Sequence, residues 1–401
     1  MTETVNRRPV DEFLEADPMF DDIHPLLDRA RADSPVAEVV TTDPATAGEI
    51  RQYYVFGYDL VREALSDTTR FSNIAYAPQL RLLAGRSMLE LDPPHHHSYR
   101  SLVAPLFRKT VVARRYTEQI REILADLFSR FRTRGHAELL AELTLPFPVR
   151  VIAAVIGVPM EDFTFFSDRA LRMIDSTLRW PEVESAKNEL ADYFTRLIAA
   201  RRARPSDDLV GELVAAERDG QVLTDEEILS FLLLLIPAGI ETTHRASSTL
   251  IFALLTHPDQ HARVRADHSL LPAAFDEAIR WEPAVAGGLR IAKANTTLGG
   301  VRIGAGSLVY ASFLGANRDP AQYADPGVFD VSRTGLPHVT FGHGPHTCIG
   351  MHLARVETDA LMHRLFEELP GLRLDPEVAR PRMHGKIYRM PTALPVLFTP
   401  R

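Results

Sequence analysis

The stretch Phe341-Gly342-His343-Gly344-Pro345-His346-Thr347-Cys348-Ile349-Gly350 gathers three glycines and the only cysteine of the chain into ten residues. An apolar-periodic segment follows at once, so a helix is expected over about 349–369 with the cysteine at its start. Glycine lets the backbone turn tightly and lets a bulky group come close. A cysteine at a helix N-terminus meets unpaired N–H groups and the positive end of the dipole, and both favour thiolate. That is the chemistry a metal-ligating sulfur requires. Three other readings compete at this point. One is a structural buried cysteine. A zinc site needs partners at CxxC or HxxxH spacing, and none stands near Cys348. A phosphate loop needs a third glycine where Thr347 stands, and a lysine that is absent.

Outward from this loop the text is mainly helical. Long apolar-periodic segments run from about 111 to 281, and short β-rich pieces appear at 37–40, 52–56 and 284–346. The expected class is mainly α, an α+β arrangement of a helical body with small sheets. Thr224-Asp225-Glu226-Glu227 is a capping box, flanked by Leu223 and Ile228 at staple positions. The helix it starts is expected to reach Thr256, close to 48 Å at 1.5 Å per residue, and to cross the core. The 401 residues carry 45% hydrophobic and 24% charged residues, which excludes a disordered or collagenous chain. A net charge of −8 argues against generic nucleic-acid binding. The longest apolar run, Phe231–Ile240, is half the length of a membrane span, and the first 18 residues lack a leader's apolar core. One cysteine excludes an internal disulfide, so a cytoplasmic protein is expected.

FGHGPHTCIG resembles the haem-binding loop of the cytochrome P450 superfamily, Phe-Gly-x-Gly-x-(His/Arg)-x-Cys-x-Gly, at every defining position. The resemblance implies haem b with Cys348 as axial thiolate. It also implies that Phe341 lies near the sulfur, that His346 lies near a propionate, and that Gly342 and Gly350 make room for the porphyrin. Three further marks stand in the expected order. Glu277-Ala278-Ile279-Arg280 resembles the ExxR pair, a structural tie to the loop before the cysteine. Asp92-Pro93-Pro94-His95-His96-His97-Ser98-Tyr99-Arg100 resembles the bacterial DPPxHxxxR segment, which makes His96 and Arg100 propionate ligands from one helix face. Arg290 matches another propionate arginine. Adjacent histidines on a helix point in different directions, so 95–97 do not read as a metal site.

Ala238-Gly239-Ile240-Glu241-Thr242-Thr243 resembles the oxygen-activating segment A-G-x-(D/E)-T-(T/S). The resemblance gives Thr242 a hydrogen bond to dioxygen and an ordered water, and Glu241 the gating of protons from solvent. Read without it, the threonine bonds back to its own helix and the glutamate points to solvent. Ala238 and Gly239 leave space for oxygen and substrate, and Pro237 removes a backbone donor just before them. The substrate pocket is expected at Ile74, Leu235, Ala238, Val285, Ala286 and Met390, all apolar. Over 1–401 the resemblance implies one catalytic domain: a monooxygenase that hydroxylates or oxidatively demethylates a small or medium apolar molecule using O2. Electrons would come from a separate ferredoxin or flavodoxin and its reductase, through a basic face of Arg108, Lys109, Arg114, Arg115 and Arg355. A monomer is the family default. A peroxide-using peroxygenase and a haem sensor or carrier are the alternatives, and the Glu241-Thr242 pair counts against both.

Overall fold

The computed structural model describes residues 8–401 apart from positions 18, 20, 21, 43–48, 176 and 336. The expectation about an N-terminal leader therefore lies partly outside the described residues. The helical body is built from Lys109–Ser129, Pro146–Ile156, Phe163–Ile174, Trp180–Ala203, Asp225–Thr256, Leu271–Trp281 and Met351–Glu368. One large apolar core runs through it, from Met88 and Tyr99 to Phe398. A second core lies under a five-stranded sheet, and a third joins the first two helices, Pro9–Glu15 and Ile23–Asp33, to Ala37, Val39 and Phe56.

The sheet order is Val36–Thr42, Glu49–Val55, Leu308–Ser312, Gly287–Ala292, Phe71–Ser72. Leu308–Ser312 runs parallel to Glu49–Val55, with Leu308 opposite Gln52; the other neighbours are antiparallel. Chain text from residue 287 thus completes a sheet begun at residue 36, which fixes the N-terminal segment against the loops preceding the cysteine. A smaller sheet orders Arg373–Leu374, Pro395–Leu397 and His136–Glu138.

The central helix begins as the capping box requires. Thr224 Oγ1 accepts from the Glu227 amide at 3.2 Å, and Glu227 Oε2 accepts from the Thr224 amide at 2.9 Å. Leu223 and Ile228 are both buried beside it. The helix runs unbroken for 32 residues through Pro237, whose missing N–H leaves Leu233 without its i+4 donor. By length and composition it could cross a membrane, but most of its apolar stretch is buried inside the protein, as in a core helix. Helices on several sides pack on it, Pro146–Ile156, Trp180–Ala203 and Leu271–Trp281 among them. Gly239 permits one such approach: a Cβ there would stand 2.4 Å from Ile152 Cδ1.

Candidate functional site

An interior cavity of about 320 Å3 opens where the central helix faces the cysteine loop. Cys348 lies deep in the protein with its side chain open to that space. The loop is shaped by its own backbone. The Cys348 amide donates to Phe341 O at 2.7 Å, and the Gly342 amide to Val339 O at 2.8 Å. Gly342 and Gly344 have φ of 72° and 75°, which L side chains rarely adopt. At Gly344 a Cβ would also stand 2.8 Å from Ser66 Cα. The helix after the loop starts at Met351, two residues later than expected, because Gly350 is its N-cap.

Two effects oppose one another at the Cys348 sulfur. Burial pushes the Cys348 thiol up, against the Gly350 and Met351 amides and the Arg100 charge, which pull it down. Burial wins while no cation is bound to the sulfur. A coordinating metal ion deprotonates a thiol outright, so the donor set still suits a metal thiolate.

Four basic groups converge beside the cysteine. His96 and Arg100 lie on one face of the helix His95–Val103, and Arg290 comes from a sheet strand. The His96 and His346 rings lie tilted against each other with centroids 3.9 Å apart, and the Nε2 atom of each is buried without a hydrogen-bond partner among the described residues. Burial and neighbouring positive charge lower His96 to about 4 and His346 to about 3. Arg100 donates to Thr347 O. Arg290 is 4% exposed, donates to the carbonyls of Leu289 and Leu65 at 2.8 and 3.2 Å, and has the Tyr76 hydroxyl beside it. A buried guanidinium without a carboxylate partner among the described residues, beside two orphaned imidazole nitrogens, asks for an anionic ligand in the cavity. All four line it, as do Cys348, Phe341, Gly342 and Gly350. A bulky planar metal complex with acidic substituents fits this set.

Glu277 and Arg280 form a buried bidentate pair at 2.6 and 2.8 Å. Arg280 also donates to Asn317 O, Pro326 O and Val328 O. Asn317 in turn accepts from the Val339 amide and donates to Thr340 Oγ1, whose hydroxyl donates to Ile279 O. The pair thus connects its helix to residues 339–340, immediately ahead of the cysteine loop.

On the central helix, Thr242 lines the cavity and donates its hydroxyl to Ala238 O at 2.6 Å. Glu241 is not part of the lining; its Oε1 pairs with Arg245 Nη2 at 2.7 Å. The two bland alternatives therefore describe this state in part, since the threonine does bond back and the glutamate is turned aside.

Leu235, Ala238 and Val285 line the cavity as expected, and Ile74, Ala286 and Met390 do not. Ile74 lies in the 3-10 turn Asn73–Tyr76, where positions three apart share a face. Asn73 and Tyr76 face inward, and Ile74 is 40% exposed. Ala286 stands in extended chain, where neighbours alternate sides. Val285 and Gly287 reach the cavity, and Ala286 packs into the N-terminal core. Met390 pairs with His384 in a hairpin packed on the flank of the central helix. The sequence reading missed Asn73, Ile152, Phe313 and Glu357 in the lining, whereas Tyr76 lies in the segment 74–83 that it marks for the pocket.

The expected basic face also divides. Lys109 and Arg355 share a groove of about 770 Å3 along the cysteine helix with Arg121, His352 and Arg364. Arg114 and Arg115 line a different groove, and Arg115 is held by Asp207 and Glu212. Arg108 lines neither.

A family model described as cytochrome P450 matches residues 163–390. The chain is 36% identical over 392 residues to nocardicin C N-oxygenase of Nocardia uniformis subsp. tsuyamanensis, covering 95% of this chain and 96% of that one. It is 34% identical over 354 residues to cyclomarin C epoxidase CymV of Salinispora arenicola, covering 83% and 89%. The crystal structure of CYP109E1 from Bacillus megaterium in complex with testosterone superposes with a TM-score of 0.84 at 30% identity, over 94% of this chain and 100% of that one. These matches, with the helical body and small sheets already described, show that the chain belongs to the cytochrome P450 family and is an oxidoreductase of the monooxygenase class.

Proposed function

We propose that this protein is a single-domain haem-thiolate monooxygenase with Cys348 as the axial ligand. It inserts one atom of O2 into a small or medium apolar organic molecule. The observation that carries this reading is the convergence of Cys348, the orphaned His96 and His346 nitrogens and the uncompensated Arg290 on one cavity. His96, Arg100, Arg290 and His346 would hold the haem carboxylates, with Phe341, Gly342, Gly350 and Ala238 against the ring. Bound there, the haem supplies thiolate-assisted oxygen chemistry.

The chain's own residues divide the remaining work. Phe231, Leu235 and Val285 exclude water and bind apolar substrate. Thr242 Oγ1 donates a hydrogen bond to Ala238 O and keeps its lone pairs to accept one from a water in the cavity. Glu241 stays partly exposed and can exchange protons with solvent. The relatives are named for N-oxygenation and epoxidation, so hydroxylation and oxidative demethylation are two of several outcomes such a cavity supports. Electrons come from a separate ferredoxin or flavodoxin and its reductase, and the protein acts as a cytoplasmic monomer.

The test is the absorption spectrum of the reduced protein under carbon monoxide, followed by titration of a compound panel into the ferric form. A strongly red-shifted Soret band supports thiolate ligation, and a low-to-high-spin change identifies substrate. A band typical of histidine ligation overturns the Cys348 assignment. Full-rate turnover with peroxide alone would favour a peroxygenase.

A further inference from the structure

Glu241 is held off the cavity by a residue of its own helix, and that residue is in turn held from outside. Arg245 pairs with Glu241 at 2.7 Å, one turn along. Its guanidinium carbon sits 5.2 Å from the centroid of the Tyr388 ring, within cation–π range. Its Nε is buried without a hydrogen-bond partner, so the side chain is fixed by Glu241 and the ring alone among the contacts described. Tyr388 belongs to the C-terminal hairpin region. It bridges to Val285, a cavity-lining residue, while the Ala286 amide donates to Ile387 O at 2.8 Å and the Arg389 amide to Ala284 O at 3.0 Å. A continuous chain of contacts therefore runs from the cavity wall at Val285, through Tyr388 and Arg245, to the Glu241 carboxylate.

We propose that Arg245 is a positioning residue that restrains Glu241 outside the cavity, and that Tyr388 sets how firmly it does so. Substrate pressing on Val285 would thereby loosen the carboxylate for proton transfer. The proposal rests on the reading of Glu241 as the proton-exchanging acid. No bond to the substrate changes in this step; one proton moves between solvent and the carboxylate, and the ion pair opens and recloses.

The test uses the haem-loaded protein and reads Glu241 itself, through its rate of carbodiimide–amine labelling followed by peptide mass spectrometry. Arg245→Gln is expected to speed labelling of Glu241 about fivefold, equivalent to about 1 kcal/mol of pairing. Tyr388→Leu should give roughly twofold, from loss of the ring contact. Arg245→Lys should restore the wild-type rate, and exposed Glu226 serves as the unchanged reference. With a substrate found by ferric titration, the solvent-deuterium isotope effect on product formation should shrink in Arg245→Gln and in Tyr388→Leu. Wild-type labelling in both variants overturns the restraint. Faster labelling with an unmoved isotope effect overturns the coupling to proton transfer. The parent reading is tested apart, by Glu241→Gln: if that variant forms product without extra peroxide, Glu241 is not the acid, whatever Arg245 does.

Discussion

Thr242 carries two readings that the structure makes compatible. Its hydroxyl donates a hydrogen bond to Ala238 O, yet the oxygen still lines the cavity and can accept from a water. Removing the hydroxyl should leave haem and substrate binding intact and uncouple reduced-nucleotide use from product. Thr242→Ala is therefore expected to release peroxide in place of most product, measured as the ratio of peroxide to product per electron pair; full coupling would remove its role. Glu277 and Arg280 behave differently, because they are buried and serve the loop. Glu277→Gln leaves the Arg280 charge without its carboxylate in the core, a change of about 3–5 kcal/mol. It should lower the denaturation midpoint and weaken haem retention together, since Asn317 and Thr340 lose their anchor. A lowered midpoint with haem retention unchanged would separate the pair from the loop. At this scale the sequence singled out residues that the structure brings to one cavity, Cys348, Thr242, His96, Arg100, Arg290 and His346 among them. Ile74 and Ala286 were not legible, because facing is decided by local backbone period. A 3-10 turn hides one residue in three, and extended chain hides every second one.

The central helix is the element that joins the core to the cavity. Its start was readable from the Thr224 box, and its end from Pro258. Its polar seam was not, since Thr243, His244, Ser247, Ser248 and Thr249 carry no motif beyond the first pair. In the structure His244 Nδ1 lies 3.0 Å from Thr144 Oγ1, and that oxygen lies 2.9 Å from Ser248 Oγ. Thr144 closes a π-turn, Leu140–Thr144, which apolar periodicity does not announce. Burial, chiefly, and the Arg245 charge depress His244 to about 4. The folded protein therefore binds fewer protons here than the unfolded chain. The contribution is complete above pH ~6.5 and is lost as pH falls from ~6.5 towards ~4. Over that window the group accounts for about 3 kcal/mol. His244→Gln should flatten the fall of Tm between pH 6.5 and 4 relative to the unsubstituted protein. An equally steep fall would place the proton uptake on other histidines.

For the whole molecule, the placement of charge matters more than its sum. The net charge of −8 coexists with a groove along the cysteine helix where Lys109, Arg121, His352, Arg355 and Arg364 stand beside the carboxylates of Asp359 and Glu367. Sequence proximity grouped Arg114 and Arg115 with Lys109, but a helix turns successive residues through about 100°, and these two face another groove. Arg355 is already paired with Asp276 at 2.8 Å and covers Phe341, so its reversal would disturb the loop as well as the surface. Lys109 and Arg121 are the cleaner probes, since Arg121 has only a long, exposed pair with Glu118 at 3.5 Å. An acidic electron carrier steered to this groove should be reduced-rate limited by their charge and by salt, because exposed pairs are screened over about 10 Å at 0.1 M. Lys109→Glu with Arg121→Glu is expected to slow the first electron transfer from ferredoxin by about tenfold or more at low salt. The deficit should narrow as salt rises, with the ferric substrate titration unmoved. Arg114→Glu is the control on the other groove and should transfer electrons at the unsubstituted rate. If the control slows and the double variant does not, the carrier docks over the Arg114 groove, and electrons enter from the side of Pro146–Ile156 instead of along the cysteine helix.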